Sequence, residues 1–166
     1  MKPDLIGVTG MSPTVSASYQ ALSALRPEAR WLALGGAHAS ALGQSVFDDC
    51  PVELDFAICG EGEEVFPELV SRLAQGSKAH ELDLPGALVR GGSSAPPWPV
   101  VADLDSLPFP DRSQVPVSRY RHPLFGGGPV TTVITSRGCP YRCLFCDKHV
   151  SGSRYRARSP ENVLAE

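Results

Sequence analysis

The sequence has no apolar run of the length that a membrane span requires. Even the uncharged stretch 11–25 is interrupted by Ser, Pro, Thr and Gln. The N-terminus, Met-Lys-Pro-Asp, also lacks the apolar core of a signal peptide. Hydrophobic residues make up 42% of the chain and charged residues 20%, so a disordered or fibrous protein is excluded. We therefore expect a globular chain of the cytoplasm without a membrane partner.

Basic residues are scarce in most of the chain and concentrated near its end. Residues 1–128 hold nine Lys and Arg against fifteen Asp and Glu, whereas residues 129–166 hold six against three. A short basic segment can indicate nucleic-acid binding. Here it surrounds a cysteine cluster, so the cations can equally accompany an anionic metal centre and an anionic substrate group. Charge alone leaves both interpretations open.

Strand and helix signals alternate through the first 76 residues. Short apolar runs at residues 4–9, 31–34 and 55–59 end in glycine or small polar residues, which is typical of buried parallel strands. Helical periodicity follows in residues 15–25 and 65–73. This alternation predicts an α/β fold with a partial Rossmann-like parallel sheet. In such sheets the ligand lies at the carboxyl ends of the strands.

Proline punctuates the middle of the chain, since nine of the sixteen prolines fall within residues 85–129. Because proline removes a backbone donor and fixes φ, regular structure is not expected to extend far there. We predict an N-terminal domain at residues 1–78, a linker at 79–128 and the start of a second domain at 129–166.

Three shorter elements are also predicted. Residues 86–92 suit a short hairpin strand. Residues 130–135 are β-branched and apolar, which favours a strand. Ser159-Pro160 is a favourable helix start, with proline at the first helical position.

Three of the five cysteines lie within eight residues, which in a chain of this kind argues for metal or redox chemistry over disulfides. Cys139, Cys143 and Cys146 form a C-x3-C-x2-C pattern. Three thiolates can each bind one iron of a cubane and leave the fourth iron open. Structural zinc requires four closed ligands, and His149 is the near candidate for the fourth. The two other cysteines are expected to be packing residues.

The cysteine pattern, with Phe145 before its last cysteine, resembles the signature loop of the radical S-adenosylmethionine (SAM) superfamily. Residues 154–163 resemble the stretch that follows this loop in many members. The resemblance implies that Cys139, Cys143 and Cys146 bind a [4Fe-4S] cluster, that SAM binds its fourth iron, and that Phe145 lies against the adenine. It also implies a 5′-deoxyadenosyl radical, a small-molecule substrate and an electron donor such as flavodoxin or ferredoxin.

The N-terminal part resembles the cobalamin-binding domain of B12-dependent methyltransferases and mutases. Thr9-x-Met11 occupies the position of that family's Ser-x-Leu motif, and Gly35 and Gly36 occupy the position of its Gly-Gly pair. The resemblance implies that these four residues contact cobalamin. His38 either touches the corrin ring as well or is a loop histidine that only forms hydrogen bonds. The family's Asp-x-His-x-x-Gly motif is missing, so we expect the chain to be incomplete at its N-terminus.

Residues 100–111 resemble the linker that joins these two domains, and the resemblances occur in the family's order. Together they identify the chain as similar to cobalamin-binding radical SAM enzymes, which carry out methyl transfer to an unactivated carbon or an anaerobic oxidative cyclisation. The implied cofactors are a [4Fe-4S] cluster, SAM and cobalamin. Because a (β/α) barrel needs several more βα units, we expect this chain to be inactive without the remainder of the barrel.

Two other classes of function stay open. One is a cobalamin-binding module without catalysis. The other is a small zinc-stabilised protein that uses His149 as a ligand and binds nucleic acid. The scarcity of aromatic residues in 137–158 disfavours a nucleic-acid partner. Neither the catalytic residues nor the substrate can be assigned from the sequence.

Overall fold

The computed structural model of the chain describes residues 2–92, 96–122, 124 and 126–166. These residues fall into two compact units. The first unit runs to Val101 and also includes Gly138–Arg154, and the second unit consists of Ala102–Arg137 and Tyr155–Glu166. Among the described residues, no helix has the length and apolarity needed to cross a bilayer.

A four-stranded sheet organises the first unit. Its strands are β1 (Leu5–Thr9), β2 (Trp31–Gly35), β3 (Phe56–Ile58) and β4 (Ala87–Leu88), hydrogen-bonded in that order. The first three strands are parallel, as predicted. The last runs antiparallel to β3. The short strand expected within residues 86–92 forms as β4, and Leu84 and Ala87 make a further local antiparallel bridge.

Helices cover both faces of this sheet. They are α1 (Val15–Leu25), α2 (Ala37–Leu42), α3 (Val46–Asp49) and α4 (Gly62–Ala74). The two longer helices, α1 and α4, lie where the periodicity predicts them. The chain is thus an α/β protein with a mostly parallel, Rossmann-like sheet.

The core consists of two apolar layers, one on each face of the sheet. Leu32 and Leu34 belong to the layer that also contains Leu22 of α1. Ala33, between them, belongs to the layer that contains Leu69 of α4. Successive side chains of a strand point to opposite faces, so a strand covered on both sides must be apolar throughout. This explains the uninterrupted apolar runs of β2 and β3.

A segment that was expected to be linker packs on the carboxyl end of β3. We call residues 98–101 the strap. Trp98 is buried, and its indole Nε1 donates a hydrogen bond to the carbonyl of Ser40 at 2.8 Å. The backbone N–H of Val101 donates to Oε2 of buried Glu61 at 2.7 Å. The first unit therefore includes residues beyond 78, although the division into domains at 78 and 128 stays a prediction.

The second unit has little regular structure. Its strands β5 (Ser136–Arg137) and β6 (Arg156–Ala157) form one short antiparallel pair. The predicted strand at residues 130–135 is wrong, because those residues lack the ladder partners that a strand needs. Val133 and Ile134 are exposed within that stretch. Their β-branched side chains favour a strand only where neighbouring strands offer a surface to pack on.

The predicted helix start in the second unit is confirmed. Helix α5 spans Pro160–Ala165, and the hydroxyl of Ser159 caps it by accepting a hydrogen bond from the N–H of Asn162 at 3.1 Å. Two further contacts hold the helix. The backbone N–H of Ser159 donates to the carboxylate of Asp105, and Arg158 forms an ion pair with Glu166.

Candidate functional site

The cysteine loop is closed at its base by backbone contacts within residues 138–154. The N–H of Cys139 donates to the carbonyl of Gly152 at 3.4 Å. Gly138 has a φ of +76°, and a Cβ added there would lie 2.0 Å from the carbonyl oxygen of Arg154. Only glycine fits this position, since both the backbone conformation and the close approach exclude a side chain. The glycine before the first cysteine thus has a structural reason.

The three clustered cysteines all present free, exposed thiols. Cys139, Cys143 and Cys146 form no disulfide. The N–H of Cys146 donates to the carbonyl of Cys143 at 3.1 Å, which tightens the second half of the loop. In the part of the chain that the structure describes, no three His, Cys, Asp or Glu side chains are placed together to hold a metal ion. The loop offers the predicted donors without bringing the sulfurs to one centre, so their role as cluster ligands stays a prediction.

The donor chemistry of this loop suits an iron–sulfur cluster. Thiolate sulfur is the ligand that such clusters use, and the loop carries three accessible thiols within eight residues. Phe145 is 93% exposed beside them. It is therefore accessible to a ligand, although its predicted contact with adenine is untested. The two other cysteines, Cys50 and Cys59, are buried in the core, as expected.

His149, the candidate fourth zinc ligand, is engaged by a neighbour. Its ring Nδ1 and its backbone N–H both contact the carboxylate of Asp147. This contact engages Nδ1 of the ring, and a role of His149 as a zinc ligand stays a prediction, like that of the three cysteines as cluster ligands.

The structure brings three of the predicted cobalamin contacts together at the carboxyl ends of β1 and β2. Thr9 is the register partner of Gly35. Gly36, next in the chain, has a φ of +94°, and an added Cβ would lie 2.6 Å from Oγ1 of Thr9 and 2.7 Å from the carbonyl oxygen of Gly10. Contact between the two strand ends thus already requires glycine at 36. The glycine at position 36 therefore has a structural reason that does not require a contact with cobalamin.

Met11 and His38 border the same edge. Met11 is 60% exposed just beyond β1. His38 is buried and lies on α2, so its assignment to a loop is wrong. Its Nδ1 lies 3.0 Å from Oγ of Ser12, and its Nε2 lies 3.1 Å from Oη of Tyr19. His38 thus forms hydrogen bonds, and its predicted contact with the corrin ring stays a prediction.

A carboxylate completes this polar cluster. Oδ2 of Asp49 lies 3.1 Å from Nε2 of His38 and accepts a 2.5 Å hydrogen bond from the hydroxyl of Tyr19. The hydrogen bond from Tyr19, followed by the one from His38, lowers the pKa of Asp49. Burial raises the pKa of Tyr19, and the bond to Asp49 adds to that shift. Tyr19 therefore stays a protonated donor and Asp49 a carboxylate across the physiological range.

Sequence analysis missed this cluster and the strap. Tyr19 lies within the helical periodicity of residues 15–25, which predicts only that it faces the core. A buried tyrosine hydroxyl, however, needs a polar partner. That requirement is a usable signal, but it does not identify the partner. Ser40 was also missed. Its Oγ accepts from the N–H of Gly60 and donates to the carbonyl of Gly36, each at 2.9 Å, and thereby joins the ends of β2 and β3.

The strap limits where a ligand can approach the sheet. A Cβ added to Gly60, two residues after the end of β3, would lie 2.7 Å from both the Pro99 carbonyl oxygen and the Trp98 side chain. The carboxyl end of β3 is therefore covered. The ends of β1 and β2, with exposed Met11 and Ser12, are not covered by the strap. A ligand at this edge of the sheet would therefore meet the ends of β1 and β2 and not the end of β3.

Comparison with known proteins identifies relatives of almost the whole chain. It is 32% identical to the uncharacterized methyltransferase PH0819 of Pyrococcus horikoshii and 28% identical to the cytidylyl-2-hydroxyethylphosphonate methyltransferase of Streptomyces wedmorensis, in each case over 99% of this chain and 36% of the relative. It is 32% identical to the hopanoid C-3 methylase of Methylococcus capsulatus over 80% of this chain and 25% of the relative. No protein-family model and no solved structure matches it.

The chain therefore represents about a third of the length of the first two relatives, and the relatives define a class of methyltransferases. In the sequence interpretation and in the structure alike, α/β elements come first in the chain and the C-x3-C-x2-C loop follows them. These methyltransferase relatives agree with the resemblance of the chain to radical SAM proteins that carry a cobalamin-binding domain.

Proposed function

We propose that this chain contributes the cobalamin-binding unit and the cluster loop of a radical SAM enzyme. One observation supports the proposal most strongly. Three free thiols, those of Cys139, Cys143 and Cys146, are exposed in a single loop whose base is closed by glycine contacts. Exposed cysteines without disulfide partners are costly to retain for structure alone, because they are prone to oxidation. Ligation of a cluster gives each of them a function.

In this proposal the chain's own residues hold and shield the reacting groups. Cys139, Cys143 and Cys146 bind three irons as thiolates and leave one iron open for SAM. Exposed Phe145 stacks against the adenine. When bound, the reduced cluster supplies the electron that cleaves SAM to a radical able to abstract hydrogen from an unactivated carbon.

Cobalamin occupies the open carboxyl ends of β1 and β2 in this proposal. Thr9, Gly35 and Gly36 form the floor of that edge, and Met11 borders it. The residues fit such a cofactor because the edge is open, carries small side chains and is not covered by the strap. We propose that the whole enzyme transfers a methyl group to a small-molecule substrate, since two of the relatives are named as methylating enzymes. Oxidative cyclisation is the alternative reaction, and an electron donor such as flavodoxin or ferredoxin would reduce the cluster.

Anaerobic reconstitution with iron and sulfide tests the ligand assignment. We expect about four irons and four sulfides per wild-type chain, with the broad visible absorption of an iron–sulfur cluster. Cys143→Ala is expected to lose most of this iron. Cys50→Ala is the matched control, because Cys50 is a buried packing residue, and it is expected to retain the cluster.

Two results would contradict the assignment. One is equal iron content in Cys143→Ala and the wild type, which would place the cluster elsewhere. The other is stoichiometric zinc that resists iron loading and is lost in His149→Ala, which would favour the zinc-stabilised class instead.

A further inference from the structure

Four polar side chains form a continuous hydrogen-bonded chain beside the open strand ends. Ser12 lies at the exposed end of this chain, His38 in its buried middle, and Asp49 and Tyr19 at its far end. The backbone N–H of His38 also donates to the carbonyl of Gly10 at 3.1 Å, which ties α2 to the end of β1. The residues come from four different helices or turns, so their meeting depends on the tertiary fold.

The contacts determine where the protons lie. Tyr19 donates its only hydroxyl proton to the Asp49 carboxylate, so both groups facing Nε2 of His38 can only accept. Nε2 must therefore carry a proton. In a neutral imidazole the other nitrogen then lacks one, and Nδ1 accepts a hydrogen bond from the hydroxyl of Ser12.

This assignment sets the direction of the Ser12 hydroxyl. Its proton points to Nδ1 of His38, so Oγ is left as an acceptor, and Ser12 is exposed next to exposed Met11. A hydroxyl held in this way presents a fixed acceptor at the edge of the sheet. It suits a ligand that approaches with an N–H donor.

We propose that Ser12 is a ligand-contact residue of this edge, that it accepts a hydrogen bond from a carboxamide N–H of the bound ligand, and that His38 is its positioning residue. The inference rests on the proposed function, because the corrin ring of cobalamin carries carboxamide side chains at its periphery. Asp49 and Tyr19 act through His38 by fixing its tautomer. None of these four contacts is part of the Thr9-x-Met11 or Gly-Gly motifs.

A purely structural role for Ser12 gives a different expectation. Ser12 is exposed, so removing its hydroxyl leaves Nδ1 of His38 accessible to water and changes stability little. A structural role would therefore produce a small effect on unfolding and none on binding. The proposed role produces an effect on binding at unchanged stability.

A titration with hydroxocobalamin, monitored by visible absorption, separates the structural role of Ser12 from the proposed ligand contact. We expect Ser12→Ala to weaken binding about three- to tenfold, which is the loss of one hydrogen bond, with the urea unfolding midpoint unchanged. Ser12→Thr keeps the hydroxyl and is expected to bind like the wild type. Ser16→Ala is the matched control, because Ser16 is an exposed serine in the first turn of α1, and it is expected to have no effect.

Nitrogen-15 NMR of the imidazole tests the positioning independently of any ligand. We expect His38 in the wild type to be the neutral tautomer protonated at Nε2, with an Nδ1 signal that shifts in Ser12→Ala. A tautomer protonated at Nδ1 would overturn the proposed orientation of Ser12.

Equal cobalamin affinity of Ser12→Ala and the wild type would overturn the contact while leaving the proposed function intact. A wild-type chain that takes up no hydroxocobalamin would reject the cobalamin part of the proposed function and this contact together.

Discussion

Gly36 adopts a φ of +94°, and an added Cβ would lie within 2.7 Å of both Thr9 and Gly10. Gly76, after α4, has a similar φ of +88° but no atom within 4 Å of its added Cβ. The two positions share the backbone strain that alanine would meet and differ only in crowding. Comparing them separates these two costs.

We expect Gly76→Ala to lower the free energy of unfolding by about 1 kcal/mol, because alanine is strained at positive φ. Gly36→Ala should cost a further ~1–3 kcal/mol, since the strand ends must also move apart. Urea unfolding followed by circular dichroism measures both. Equal losses in the two variants would show that the contact between the ends of β1 and β2 is looser than the structure has it.

The cysteine pattern could be read from the sequence because all its information is local. Spacing, flanking glycine and neighbouring aromatic lie within a dozen residues. The polar cluster around His38 could not be read in this way. Its partners, Ser12, Tyr19 and Asp49, are separated from it by 26, 19 and 11 residues, and only the packing of the helices on the sheet brings them together.

At the scale of elements, the strap is the feature that changes the site most. Residues 98–101 lie in a proline-rich stretch that predicts a linker, yet Trp98 and Val101 are buried against the first unit. A single large aromatic side chain in such a stretch is a usable signal, because its burial stabilises more than any nearby polar residue can. Glu61 fixes the end of the strap through the N–H of Val101.

The strap can be followed by fluorescence, because the chain has only two tryptophans. In a Trp31→Phe background, Trp98 alone reports, and we expect blue-shifted emission from its buried indole. Adding Glu61→Ala removes the acceptor of the Val101 N–H and should shift the emission to longer wavelength. Glu61→Gln keeps an acceptor oxygen and should not.

Glu64→Ala is the matched control for the strap experiment, since Glu64 is an exposed acid in the first turn of α4, the helix whose N-cap is Glu61. It is expected to leave the emission unchanged. If Glu61→Ala also leaves it unchanged, Glu61 does not hold the strap, and the burial of Trp98 and its hydrogen bond to Ser40 keep it in place.

Elements were predicted well where local pattern and tertiary burial agree. The three parallel strands and helices α1 and α4 follow from their apolar periodicity, and both faces of the sheet are covered as that periodicity requires. Residues 130–135 show the opposite case. Their β-branched composition favours a strand, but the described residues of the second unit offer no neighbouring strand beside them.

At the scale of the whole molecule, the chain matches about a third of the length of its first two relatives. It combines a mostly parallel α/β unit with a loop of three exposed cysteines, and each part has its own proposed cofactor. The two proposals are independent in their chemistry. Cobalamin uptake depends on the open strand ends, whereas iron binding depends on the thiols.

The central claim is that Cys139, Cys143 and Cys146 hold a cluster with one open iron. Electron paramagnetic resonance of the reconstituted, reduced wild-type chain tests it most directly, with spectra recorded before and after addition of SAM. We predict the signal of a reduced [4Fe-4S] cluster whose g values shift when SAM binds the open iron. A cluster signal that SAM leaves unchanged would contradict the open site, and a protein that retains zinc and gives no cluster signal would contradict the claim altogether.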